Sequence, residues 1–256
     1  MDKEIIRRMK PMITSVKNEK VKQWKKLHKR KERTQAGAFL VEGFHLVEEA
    51  VKSNWTVREV IIQEGVELPS WTDNYPVVSI SDNVMAYISQ TAAPQGIIAV
   101  IESRQQTQRS GNHLLLIDSI QDPGNLGTII RTADAAGMDG IMLGDGTVDL
   151  YNDKVIRSTQ GSIFHIPIIH ANLGEMVSAL KEEGFAIWAT ALENASNYND
   201  IIPGNKVAII LGNEGAGVQA DLIEQADRSV KIPIYGQAES LNVSIAAGIL
   251  MYHLKR

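Results

Sequence analysis

Three polar, glycine-bearing stretches in the C-terminal half carry the residues able to do chemistry: Gln121-Asp-Pro-Gly-Asn-Leu-Gly-Thr-Ile-Ile-Arg131, Gly212-Asn-Glu-Gly-Ala-Gly217 and Tyr235-Gly-Gln-Ala-Glu-Ser-Leu-Asn-Val-Ser244. Their candidates are Asn125, Arg131, Glu214, Ser240 and Asn242. A glutamate accepts from a hydroxyl or amine, amides both donate and accept, and a guanidinium is permanently charged, so the set can bind a polar ligand bearing hydroxyl or amine groups. Glycines at 212, 215 and 217 let a ligand approach the backbone. The stretch lacks the Lys-Ser/Thr ending of a phosphate cradle and the glycine spacing of a dinucleotide fingerprint. A tight turn is its plain alternative. Ser240 and Asn242 could equally be helix N-caps. The six histidines, at 28, 45, 113, 165, 170 and 253, show no i,i+4 pair, so no metal site is expected.

These loops each follow a short apolar run. Runs at 114–120, 141–143, 185–190, 207–211 and 230–234 alternate with helical patterns, which predicts a parallel sheet covered on both faces. Ligands of such sheets bind beyond the carboxyl ends of the strands, so the three loops should converge on one edge. The first loop is expected to open a helix with Asn125 as N-cap and Gly137 as terminator. Helical side chains lean toward the N-terminus, which would lay Arg131 over the bare turn at Gly127 and aim it at the loop, with an exposed surface arginine as the plain alternative. Residues 241–254 are apolar almost all round, and a helix without a polar face needs cover on both sides. A second subunit is the expected second cover.

Upstream, residues 17–33 read as one helix with Val21, Trp24 and Leu27 on a narrow apolar seam among many lysines and arginines. Apolar stretches at 38–41, 57–62, 77–80 and 97–101, with helical patterns at 46–51 and after Ser81, predict a small α/β sandwich. Eleven residues without a large apolar side chain, 102–112, form a seam. The expected division is a small α/β domain over 1–105, a linker over 106–112 and a parallel-sheet domain over 113–256.

At 256 residues, 44% hydrophobic and 22% charged, the chain has ordinary soluble composition, and no apolar run approaches the roughly 20 residues of a bilayer span. The absence of cysteine removes disulfides, thiolate metal sites and cysteine nucleophiles together. A charged N-terminus without a secretory apolar run predicts a cytoplasmic location. The net charge of −4 hides an asymmetry: residues 1–35 hold 13 Lys/Arg against 4 Asp/Glu, a net of +9, and the remainder 13 against 26, a net of −13. A basic arm on an acidic body points to a polyanionic partner, with a solvated helix face as the alternative.

Taken together and in order, Asn125-Leu-Gly-Thr-Ile-Ile-Arg131, Gly212-Asn-Glu-Gly-Ala-Gly217 and Ile232-Pro-Ile-Tyr-Gly-Gln-Ala-Glu-Ser-Leu-Asn-Val-Ser244 resemble the three motifs of the SpoU (TrmH) class of SPOUT RNA methyltransferases. Val155-Ile-Arg-Ser-Thr-Gln-Gly-Ser-Ile-Phe-His-Ile-Pro167 resembles that family's linking segment, and Phe39-Leu-Val-Glu-Gly43 its small substrate-binding domain. The resemblance implies a C-terminal SPOUT domain with a trefoil knot and a homodimer formed through the C-terminal helix. It also implies methyl transfer from S-adenosylmethionine to a ribose 2′-hydroxyl of structured RNA; the small added domain, read as a recognition device, favours ribosomal RNA over transfer RNA. Main-chain groups near Thr190, Gly212, Ile232 and Leu241 would hold the cofactor; Arg131 would be the central catalytic residue, ordered with the substrate by Asn125, Glu214, Ser240 and Asn242. Arg131 would act as base or, preferably, as an electrostatic clamp. The alternatives are a transfer-RNA 2′-O-methyltransferase and a catalytically silent RNA-binding or ribosome assembly factor. A nicotinamide oxidoreductase is disfavoured by the missing fingerprint.

Overall fold

In the computed structural model, which describes residues 12–104 and 111–256, the chain divides into two compact units, Met1–Arg104 and Gln105–Arg256. Residues 1–11, part of the basic segment, and 105–110, most of the expected linker, lie outside the described residues.

In the first unit the helices are α1 (Glu19–Lys26), α2 (Arg30–Ala36), α3 (Phe44–Lys52) and α4 (Asp82–Ile88), the last N-capped at Ser81. The strands are β1 (Ala38–Glu42), β2 (Val57–Gln63), β3 (Val77–Ile80) and β4 (Ile97–Glu102), in sheet order β1-β4-β2-β3. The single helix expected over 17–33 is two. Arg33 folds back, its Nη1 donating to Leu27 O at 2.9 Å and His28 O at 2.8 Å. His28 Nε2 donates to Ile88 O at 2.7 Å, and Lys29 is extended. Carbonyls that a continuous helix would satisfy internally are thus taken by side chains, and the helix stops. Val21, Trp24 and Leu27 are buried, packed with Ile61, Val78, Ile80 and Ile98, and Trp24 Nε1 donates to Glu59 Oε1 at 2.9 Å. The described part of the basic segment is therefore a wall of this unit rather than an arm appended to it.

The second unit is built on β5 (His113–Ile117), β6 (Gly140–Leu143), β7 (Ile168–His170), β8 (Ala186–Thr190), β9 (Ser196–Asn197), β10 (Val207–Leu211) and β11 (Arg228–Lys231). All neighbours are parallel, in the order β7-β6-β5-β10-β8-β11-β9. Its helices are α5 (Pro123–Ala135), α6 (Asp153–Thr159), α7 (Leu173–Glu182), α8 (Ala220–Gln225) and α9 (Val243–His253). Continuous apolar strands reflect burial on both faces. Leu114, Leu116, Ala208 and Ile210 pack with Val177, Leu180 and Leu222 of α7 and α8, while the alternating Leu115, Ile117, Ile209 and Leu211 are fully buried on the opposite face.

From β5 the chain steps outward to β6 and β7, then returns to β8 and β10 on the other side of β5. The carboxyl ends of β5 and β10 therefore flank the point where the winding reverses, the usual place for a ligand crevice. Among the described residues, no helix is long and apolar enough to cross a membrane.

Candidate active site

The helix α5 begins with Asp122 as its N-cap, accepting from Asn125 N at 2.9 Å, and Pro123 at its first position. Asn125 is not the N-cap, contrary to the sequence expectation; aspartate followed by proline is the stronger start signal, because the amide proline lacks has no partner in the first turn and its φ is preset for a helix. This frees the Asn125 side chain. Its Nδ2 donates to Glu214 Oε1 at 3.0 Å, and its Oδ1 accepts from Asn242 Nδ2 at 2.9 Å. Asn242 is the N-cap of α9, its Oδ1 accepting from Ser244 N at 2.9 Å and Ser244 Oγ at 2.6 Å. Capping and clustering are compatible because the amide oxygen does one and the amide nitrogen the other. A chain of hydrogen bonds, Glu214 to Asn125 to Asn242 to Ser244, thus ties the three loops together.

Glu214 also accepts from Gln121 N at 3.1 Å and Asp122 N at 3.0 Å. Partial burial pushes its carboxyl upward, but donation from the Asn125 side chain and from backbone amides outweighs that, so its pKa is lowered and it stays a carboxylate. Because a carboxylate only accepts, Asn125 must turn its amide nitrogen to Glu214 and its oxygen outward.

Behind Glu214 the glycine loop is anchored to the end of β5. Asn213 Nδ2 donates to Ser119 O at 2.8 Å, while its Oδ1 accepts from Gly215 N at 2.9 Å and Ala216 N at 3.0 Å. Buried Asp118 accepts from Gln219 N at 2.8 Å and from the Gln219 side-chain amide. Asn213 and Gly217 exchange backbone hydrogen bonds at 2.9 and 3.0 Å. The loop closes so tightly that a Cβ on Gly212 would stand 2.2 Å from Gly217 C and from Val218 N. Only glycine fits there.

Beside this loop, at the ends of β8, β10 and β11, lies a cavity of about 820 Å³ whose lining includes Thr190, Gly212, Glu214, Ile232, Ser240, Leu241 and Asn242. All four expected cofactor positions therefore share one cavity, with three of the five expected catalytic residues. Its walls include Leu192, Val218, Ile223, Ile234 and Leu250, and its charged lining is Glu193, Glu214 and Glu239 against Lys231. Apolar walls with backbone edges suit an adenosine, and an excess of carboxylates disfavours polyphosphates while suiting a cationic sulfonium. The residues fit S-adenosylmethionine.

Arg131 stands apart. It is exposed on α5 beside Thr128 and Ala135 and is not among the residues lining the cavity. The bare turn at Gly127 does not make room for it: Gly127 is buried, and a Cβ there would meet Ser158 Cβ at 2.3 Å and Val155 O at 2.8 Å. Its glycine serves close packing of α5 on α6. Ser240 lines the cavity without a hydrogen-bond partner among the described residues. Sequence reasoning missed Asp122, Asp118, Asn213 and Gln219. The signal for Asp122 was Pro123; for the others, whose partners are about a hundred residues away, there was none. No cluster of three or more potential ligands for a metal ion occurs among the described residues.

Comparison with known proteins supplies further findings. The profile of the SpoU rRNA Methylase family matches residues 112–252, and that of the MRM3-like substrate binding domain matches residues 18–99. The chain is 49% identical over 244 residues to the 23S rRNA (guanosine(2553)-2'-O)-methyltransferase RlmP of Bacillus subtilis, covering 95% of this chain and 98% of that protein. The AdoMet-bound rRNA methyltransferase of Sinorhizobium meliloti superposes with a TM-score of 0.86 at 31% identity, covering 95% of this chain and 97% of the other. The SpoU methyltransferase AviRb of Streptomyces viridochromogenes, in complex with AdoMet, gives 0.81 at 28% identity, covering 93% and 97%.

Proposed function

The chain belongs to the SpoU rRNA Methylase family, and on that premise we propose that it transfers a methyl group from S-adenosylmethionine to a ribose 2′-hydroxyl of 23S rRNA, in preference to transfer RNA. The observation that carries this reading is the coincidence of the cavity lined by Thr190, Gly212, Ile232 and Leu241 with the Glu214–Asn125–Asn242 hydrogen-bond chain at its edge.

S-adenosylmethionine would supply an electrophilic methyl, its carbon–sulfur bond breaking as a carbon–oxygen bond forms, with the neutral thioether of S-adenosylhomocysteine as leaving group and the hydroxyl proton passing to solvent water. Glu214, held as a carboxylate, orients Asn125, and Asn242 completes the chain from α9. Ser240 offers a hydroxyl toward the sugar. Arg131 lies outside the cavity of its own chain, so its guanidinium would hold a phosphate and stabilise alkoxide charge only where the second copy of a homodimer carries it to the site.

A homodimer belongs to the same proposal. Ile245 and Tyr252 of α9 are each 55% exposed although the helix is apolar on nearly every side, and a second copy would cover that stripe. The trefoil knot implied by the family motifs is also part of it; the packing of α9 on α5 and the shared cavity of loops 212–217 and 232–242 support it.

The test incubates the protein and S-adenosylmethionine with 23S rRNA from cells lacking it and, separately, with bulk transfer RNA, followed by mass spectrometry of nucleosides. A 2′-O-methylated nucleoside in 23S rRNA is expected. Transfer only to transfer RNA would overturn the preference, and cofactor binding without transfer to either would favour a silent RNA-binding factor.

A further inference from the structure

Charge in the first unit is polarised. Residues 17–33 hold nine Lys/Arg against two Asp/Glu, whereas the rest of 12–104 holds three against nine. Three of the nine cations are occupied: Lys20 pairs with Glu59, Lys22 with Glu19, and Arg33 is buried against backbone carbonyls. The other six, Lys17, Lys25, Lys26, Lys29, Arg30 and Lys31, pair with no carboxylate among the described residues. Five of them crowd into seven consecutive positions around the α1–α2 turn. Like charges at this spacing repel, and the nearby Glu19 and Glu32 offset only part of it.

An aromatic ring stands in the same patch. Tyr87, on α4 packed beside α1, is 41% exposed, and the Lys25 ammonium lies 5.1 Å from its ring centre. A half-exposed ring flanked by a cation is a surface on which an unpaired base can stack while the cation meets its phosphate.

We infer that the face formed by α1, the α1–α2 turn and Tyr87 docks the RNA substrate, with Lys25, Lys26, Lys29, Arg30 and Lys31 on the phosphate backbone and Tyr87 against an unpaired base. This rests on the methyltransferase reading and gives its substrate a place to bind on the first unit. Phosphate contacts set affinity and salt dependence, and stacking adds a contribution that salt does not screen. The two halves of the surface are therefore separable by measurement.

Removing the whole basic segment would not test this, because Val21, Trp24 and Leu27 would leave the core with it. The variants are instead Lys26→Ala/Lys29→Ala/Arg30→Ala/Lys31→Ala in one chain and Tyr87→Ala in another. Each full-length protein is titrated with 23S rRNA transcript from 50 to 300 mM salt and assayed for methyl transfer; circular dichroism and S-adenosylmethionine affinity confirm that both fold. The fourfold variant should flatten the slope of log K against log salt by about 3, at roughly 0.7–0.9 per lost phosphate contact. Tyr87→Ala should weaken binding about tenfold with the slope unchanged. Wild-type methylation of the transcript with both variants binding as wild type would overturn the surface and leave the function standing. Slope loss in the fourfold variant with no methyl transfer by wild type would do the reverse. Patch-dependent binding to phosphatidylserine vesicles in place of RNA would also overturn it.

Discussion

Glu214 is the residue on which the loops of the second unit depend, since it accepts from Asn125, Gln121 and Asp122 at once. Glu214→Gln keeps size but places an amide nitrogen against donors. We expect a loss of about 1 kcal/mol at pH 7, read as a melting temperature lower by about 2–4 °C. Because the folded carboxyl titrates below its ordinary value, its stabilisation is complete above the ordinary glutamate pKa of about 4.3 and fades as pH falls through the lowered value. The difference between wild type and variant should accordingly be flat from pH 6 to 8 and shrink below about pH 4; a constant difference down to pH 3 would show that the ionised form is not what the loops require. For Arg131, the permanent charge makes fork geometry the variable worth changing. Arg131→Lys should lower kcat about 100-fold or more with S-adenosylmethionine affinity intact, and near-native turnover would leave the clamp without support.

At the scale of elements, the glycine loop works because its backbone closes on itself. Gly212→Ala forces a Cβ into Gly217 and Val218, so the loop must open and the cavity wall with it. We expect cofactor affinity to fall more than tenfold by calorimetry, whereas Gly204→Ala, which would meet nothing within 4 Å, should bind as wild type. Equal affinities would mean that the loop yields at no cost. The α1–α2 break makes the same point about local context: the 17–33 pattern is helical throughout, yet Arg33 and His28 reach back to backbone carbonyls and Ile88 and stop the first helix at Lys26. Such a break depends on where α4 lies, which local periodicity does not contain.

For the whole molecule, the exposed stripe of α9 predicts assembly. Ile245→Asp on that stripe should convert a dimer to a monomer in analytical ultracentrifugation at micromolar concentration, and it should do so without lowering the helix content. A wild-type monomer under those conditions would remove the dimer from the proposal. The uncovered half of α9 also explains why composition alone pointed to a partner: an apolar helix reports that cover is needed, not which surface supplies it.

Five of the seven strands of the second unit, the parallel pairing, the α9 pattern and the three loops were legible in the amino-acid sequence because apolar period and loop chemistry are local properties of consecutive residues, whereas β7 and β9, three and two residues long, are too short to show a period. The convergence of the loops was legible too, since every strand of a parallel sheet presents its carboxyl end on the same edge. What the tertiary structure alone decided is which groups meet there. Asn125 faces Glu214 and Asn242, 89 and 117 residues away, and Asp118 meets Gln219 at a separation of 101. Gly127 answers to Ser158 on another helix. Contacts at such separations arise from close packing in three dimensions, and no spacing along the chain encodes them.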